Sequence, residues 1–217
     1  MKLRCSNRRN RGLTLVEVLV VVILVAILAA MILPALTAAK RGGGPVCYGN
    51  LRQIGLAYQM WAGDNFNKYP AEVSLTNGGA MELASAGNVA AFFQVMSNEL
   101  STPRVLLCPK DVEHVRSDYF HTNFTAKNIS YFIGLNVATN FPNSIIAGDS
   151  NLEQGGHPLT PGVHELTPNN MSVWSATRHN RSGNLLLEDG SVQWLANSNL
   201  VRHFQQTGLA TNRLAIP

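Results

Sequence analysis

The first eleven residues contain no acidic side chain, and the residues from Leu13 to Leu36 are almost free of charge. Cysteine is scarce, with three in 217 residues. No pair has the CxxC spacing and no histidines cluster with them, so a zinc site on these thiols is not expected. No Lys-Ser/Thr follows the glycines at 42–44, which excludes a phosphate-cradling loop. No nucleophile elbow is present, and no internal repeat is visible. His157, His164 and His179 are spaced by 7 and 15 residues, which matches no common zinc pattern.

What is present begins at the amino terminus. Met1–Arg11 carries Lys2, Arg4, Arg8, Arg9 and Arg11. Gly12 follows, then Leu13-Thr14-Leu15-Val16-Glu17 and an apolar run. From Leu13 to Leu36 there are 24 residues, and Glu17 is the only charged one. At about 1.5 Å per residue, roughly 20 apolar residues span a ~30 Å hydrocarbon core. Basic residues ahead of such a run hold that end in the cytoplasm. A carboxylate inside the run is costly and calls for a proton or a counter-charge. Pro34 lacks a backbone donor and is expected to kink or loosen this helix.

The basic leader, Gly12 and Leu-Thr-Leu-Val-Glu together resemble the class III signal of type IV pilins and type II secretion pseudopilins. The resemblance implies cleavage by prepilin peptidase between Gly12 and Leu13, then N-methylation of Leu13. Glu17 then stands at the fifth mature position, as an assembly registrar whose partner is a neighbouring subunit's terminal ammonium. Pro34 falls at the twenty-second, where many pilins also carry proline. The family usually begins with phenylalanine or methionine, so Leu13 is a departure.

The formal charge of +4 reflects the leader. Five of the 17 Lys and Arg lie there, so 12 face 13 Asp and Glu in the remainder, a formal −1. The basic isoelectric point is therefore no argument for nucleic acid as a partner.

The expected organisation is a leader at 1–12, a transmembrane and assembly helix at 13–40, a Gly-rich hinge at 41–45 and a periplasmic head at 46–217. Gly42-Gly43-Gly44-Pro45 should break a helix that pilins usually run continuously. A second helix is expected over Val46–Ala62. Cys47, Leu51, Ile54, Tyr58 and Trp61 recur there at spacings of 4, 3, 4 and 3 and form one apolar stripe, suited to packing on a sheet. Cys47 and Cys108 would lie outside the inner membrane, where disulfides persist. A bridge between them is one reading; buried free thiols are the other.

Further along, Ala90–Leu100 reads as a short helix and Asp111–Asn128 as loop. Ser130–Leu135 and Ser144–Ala147 read as strands, and Gly155–Asn170 as an extended surface loop. Asp189-Gly190 between apolar runs signals a two-residue hairpin turn. That turn pairs Leu187 with Val192 and Leu185 with Trp194, with all four facing the helix. Asp149, Asn151 and Glu153 alternate oxygen ligands as a calcium loop does, without the glycine and distal glutamate of an EF-hand. Calcium is the candidate cofactor there.

His179, nine residues, then Asp189-Gly190 resembles the H-X9-DG element of a pilin-like family. The segments Cys47–Ala57 and Leu107–Asp111 also resemble that family. His179 is expected to hydrogen-bond at the start of the hairpin rather than to act in catalysis.

The expected fold is α+β and pilin-like: an N-terminal transmembrane helix, then a helix packed on a small antiparallel β-sheet. The function the resemblance implies is that of a pseudopilin, a non-enzymatic subunit of the inner membrane with its head in the periplasm. Its partners are prepilin peptidase, other pilin subunits and the inner-membrane assembly platform. The alternatives are a surface-pilus or DNA-uptake subunit and a monomeric membrane-anchored binding domain.

Overall fold

The computed structural model describes residues 15–41, 45–121, 123–137 and 143–217. The leader, the cleavage site Gly12-Leu13 and the glycines of the expected hinge lie outside the described residues. The chain divides into two compact units at Arg41.

The first unit contains helix α1, Leu15–Arg41. It continues through Pro34, so the proline does not end it. Every side chain from Leu15 to Leu28 is exposed. Among the described residues no helix is long and apolar enough to cross a membrane.

The second unit is α+β. It opens with helix α2, Pro45–Asp64. Cys47, Leu51, Ile54, Tyr58 and Trp61 are at most 5% exposed, so the apolar stripe is the helix's buried face. Gly55 lets α2 sit close to the sheet, because a Cβ there would stand 2.9 Å from Leu186 Cδ1. Three short helices follow: α3 (Met81–Ser85), α4 (Val89–Val95) and α5 (Ser97–Leu100). The helix expected over Ala90–Leu100 is thus broken at Met96, whose ψ of 21° is not helical. Asn88 caps α4 by accepting from the Ala91 N–H.

Among the described residues the strands form two antiparallel sheets. The larger has six strands in the order β5-β9-β1-β2-β7-β8. These are β1 (Tyr131–Gly134), β2 (Ile145–Asp149), β5 (Gly162–Leu166), β7 (Ser182–Leu187), β8 (Val192–Ala196) and β9 (Asn212–Ile216). The smaller joins β4 (His157–Pro158), β3 (Leu152–Gln154) and β6 (Val173–Trp174). Gly155–Asn170 is therefore not one long loop. Its Gly162–Leu166 segment pairs with β9 as an outer strand of the main sheet.

Both faces of the main sheet are covered, and the strands alternate between two cores. Tyr131 and Ile133 join Leu51, Ile54, Tyr58 and Phe92 under α2. Phe132 joins Trp174, Leu185, Leu187 and Leu214 on the other face. Helix α6 (Asn197–Gln206) closes that second core with Leu200 and Phe204, one helical turn apart.

The hairpin between β7 and β8 differs from the sequence expectation by one residue. Leu186 pairs with Val192, and Asn184 with Trp194. The connection is a three-residue loop, Glu188-Asp189-Gly190. The Gly190 N–H donates to Leu187 O at 3.0 Å, and Gly190 has φ +77°. This is a type I turn closed by a left-handed glycine, the other hairpin that Asp-Gly can make. A one-residue slip exchanges the faces of a strand. Leu186 and Val192 consequently meet α2, while Leu185 and Leu187 enter the second core.

Candidate functional site

A buried polar grouping lies where α2, the segment 107–111, the ends of β1 and β2, and the approach to β7 meet. Cys47 on α2 is bonded to Cys108, with Cα atoms 5.2 Å apart. One turn further along α2, Asn50 donates to Leu107 O at 2.8 Å and to Tyr131 Oη at 3.3 Å. The Cys108 backbone N–H donates to Ser130 Oγ at 3.0 Å.

Asp111 follows and is fully enclosed. Its Oδ2 lies 2.8 Å from Arg178 Nη2 and 2.8 Å from His114 Nδ1, and accepts from Ser130 Oγ at 2.6 Å. Its Oδ1 accepts from the backbone N–H of Glu113 and His114. Burial pushes this carboxyl up, but the His114, Ser130 and Glu113 hydrogen bonds and the Arg178 charge outweigh it and hold it down at about 2. Arg178 also donates to Ser130 O at 2.9 Å and Ser150 Oγ at 3.0 Å. Arg178 therefore ties the 108–111 segment to the ends of both central strands.

His179 points inward from the same segment. Asn180 and Arg181, directly after it, both have left-handed φ, 51° and 58°. Two consecutive non-glycine residues in that region are strained and need support from their surroundings. The His179 ring lies edge-on to Trp194 at 5.4 Å. Its Nε2 stands 3.4 Å from Cys108 Sγ and 3.6 Å from Asp149 Oδ2. Asp149 is wholly buried at the end of β2, and its Oδ2 accepts from the backbone and side-chain N–H of Asn184 at 2.6 and 2.9 Å. Burial raises the Asp149 carboxyl to about 6 against the Asn184 hydrogen bonds and the Arg178 charge. Burial, with the positive charges of Lys110 and Arg178, lowers His179 to about 4. Near neutrality the imidazole is uncharged. Cys108 and Asp149 both address Nε2, so the ring does not link them as a catalytic relay would, through opposite nitrogens.

The candidate residues from sequence thus scatter. Asp189 and Gly190 sit in the hairpin loop, where Asp189 Oδ1 accepts from the Ser191 N–H at 2.8 Å. They lie one strand length, about 20 Å, from His179, so the nine intervening residues of that element are mainly β7. Of the calcium candidates, Asp149 Oδ2 is turned to Asn184, and Asn151 donates to Ser175 O at 3.5 Å. Glu153 sits in β3 opposite Pro158 and Val173. The clusters of His, Cys, Asp and Glu ligand atoms among the described residues lie elsewhere: Cys47 with Cys108 and His179, and Asp111 with Glu113 and His114. The sequence marks Asp111 only as the end of a family-like segment and gives Arg178 and Asn184 no role. Their partners lie tens of residues away, and no local spacing signals them.

Beside Arg178 a cavity of about 530 Å³ opens, lined by His114, Asn151, Ser175 and Thr177 among others.

The comparisons with known proteins bear on the other end of the chain. Residues 7–33 match the family model of the prokaryotic N-terminal methylation motif. No curated protein and no solved structure matches the chain. The motif is that of type IV pilin-like proteins and pseudopilins, and it fits a structural subunit rather than an enzyme. It also fits processing by prepilin peptidase, assembly with other pilin subunits and a membrane-anchored place in the cell envelope.

Proposed function

We propose that this protein is a pseudopilin-like subunit of a type II secretion or type IV pilus-like filament. The methylation motif over residues 7–33 carries the reading. Prepilin peptidase cuts between Gly12 and Leu13, and Leu13 is methylated. The segment 13–40 anchors the chain in the inner membrane, and residues 46–217 form the periplasmic head. The inner-membrane assembly platform then packs the anchors into a filament core. The exposed apolar side chains from Leu15 to Leu28 support this, because so long an apolar surface needs lipid or neighbouring helices to cover it. Within that core Glu17 sets the register by meeting the terminal ammonium of the next subunit.

The test is Glu17→Ala in the native host, followed by shearing and fractionation of filaments. The variant should be inserted and cleaved normally, yet be absent from the filament fraction. Equal incorporation of Glu17→Ala and the parent chain would sink the assembly role.

A further inference from the structure

We infer that Cys47, Cys108 and His179, with Asp149, form a zinc site when the disulfide is reduced. The absence of histidine near either cysteine in sequence argues against zinc, but the fold removes that objection. The two sulfurs and a histidine nitrogen lie within 4.8 Å of one another. Tetrahedral zinc with Zn–S near 2.3 Å and Zn–N or Zn–O near 2.0–2.1 Å has ligand-to-ligand edges of about 3.3–3.8 Å. Cys108 Sγ to His179 Nε2 is 3.4 Å, and His179 Nε2 to Asp149 Oδ2 is 3.6 Å. Two of the six edges of that tetrahedron are therefore already present; Asp149 lies outside the group of ligand atoms mutually within 4.8 Å and must turn towards the sulfurs. A third forms when the sulfur–sulfur bond opens and the two thiolates separate by about 1.7 Å.

The surroundings suit a cation. All four side chains are buried, with Cys47, Cys108 and Asp149 at most 1% exposed and His179 5%. Asp149 Oδ1 is buried without a hydrogen-bond partner, and a metal would satisfy the carboxylate. The two Asn184 donors on Oδ2 supply the outer contacts that orient a metal-bound carboxylate. Two thiolates, an imidazole and a carboxylate are ligands zinc accepts.

The chemistry balances with a phosphine as reductant. Phosphorus gives two electrons to the sulfur–sulfur bond and becomes a phosphine oxide, taking its oxygen from water. The two protons of that water go to the sulfurs, and Zn²⁺ then displaces them. Under oxidising conditions the same two sulfurs bond to each other and exclude the ion. The head then has two alternative clasps between α2 and the 108–111 segment, one covalent and one metallic.

The test uses the full chain in detergent, oxidised or reduced with a phosphine, titrated with Co²⁺ and then with Zn²⁺. The reduced chain should take up one ion, with the near-ultraviolet absorption of a cobalt–thiolate bond, and zinc should displace the cobalt. The oxidised chain should take up none at this site. His179→Gln should weaken binding by at least ~10-fold, the loss typical of removing even an outer partner of a metal site. Asp149→Asn, which keeps both side-chain size and the buried cysteines, should weaken it as well. A reduced chain that gives no cobalt–thiolate absorption overturns the inference, whether or not it stays folded. So does cobalt affinity that is the same in the His179→Gln variant or in the oxidised chain.

Discussion

Replacing Asp111 with asparagine should be among the most damaging conservative changes in the head. The Asp111 side chain is 0% exposed and Arg178 6%, with 2.8 Å between them. Asp111→Asn keeps the shape but removes the charge, and it turns one acceptor into a donor facing the hydroxyl of Ser130, the His114 ring and the guanidinium. Arg178 then keeps Ser130 O and Ser150 Oγ, with His114 Nδ1 at 3.4 Å, but no carboxylate for a buried positive charge. Breaking a buried pair on one side costs about 3–5 kcal/mol. Folded domains have roughly 5–15 kcal/mol in all. The pH profile provides a second readout. The Asp111 carboxyl is held at about 2 in the fold, against an ordinary ~3.9 when unfolded. A depressed folded pKa gives stability that is complete above the unfolded value and is lost as pH falls towards the folded one. The parent should therefore lose about 2 kcal/mol between roughly pH 4 and pH 2, and Asp111→Asn should lack that step. Urea unfolding of the full chain in detergent, followed by tryptophan fluorescence across pH, measures both. A cost under ~1 kcal/mol, or an acid step that survives the substitution, would refute the reasoning.

Replacing both Cys47 and Cys108 with serine opens a loop spanning 61 residues and should cost about 4 kcal/mol by chain entropy, read as a lower urea midpoint. Gly190→Ala forces a left-handed alanine at φ +77° and should cost about 1–2 kcal/mol; Ala at position 189 should cost much less, because Asp189 has an ordinary φ. His179→Gln should change how stability depends on pH. In the parent, the raised Asp149 makes the fold firmer as pH falls from about 6, while the lowered His179 weakens it down to about 4, and the two oppose each other. Without the imidazole one opposing contribution is gone, while buried His203, lowered likewise by burial, still weakens the fold on acidification; the variant should therefore lose less stability than the parent, or gain more, from pH 6 to 4, and an equal or greater loss would contradict the burial argument.

What could be read from sequence was local. The α2 stripe was visible because its spacing of 3 and 4 is the helical period itself. Asp189-Gly190 marked a hairpin, but the same dipeptide serves both a two-residue and a three-residue loop. The choice between them depends on which face of β7 meets α2, and there Leu186 fits over Gly55. Helix α6 was not anticipated because its buried side is little more than Leu200, His203 and Phe204 in a polar segment. Strand β9 is only five residues long, and its place between β5 and β1 is a property of the assembled sheet. The site beside the disulfide was unreadable for the same reason. Cys108 and His179 are 71 residues apart, and polar segments such as 108–111 and 178–181 look like ordinary surface loop until the fold buries them together.

The central claim is that this chain is matured as a pilin. Intact-mass and N-terminal peptide mass spectrometry of the protein taken from its own membrane tests it most directly. The account predicts a mature chain that begins at Leu13 and carries a methyl group on its terminal amine. A chain that retains Met1–Gly12 in the membrane would contradict it.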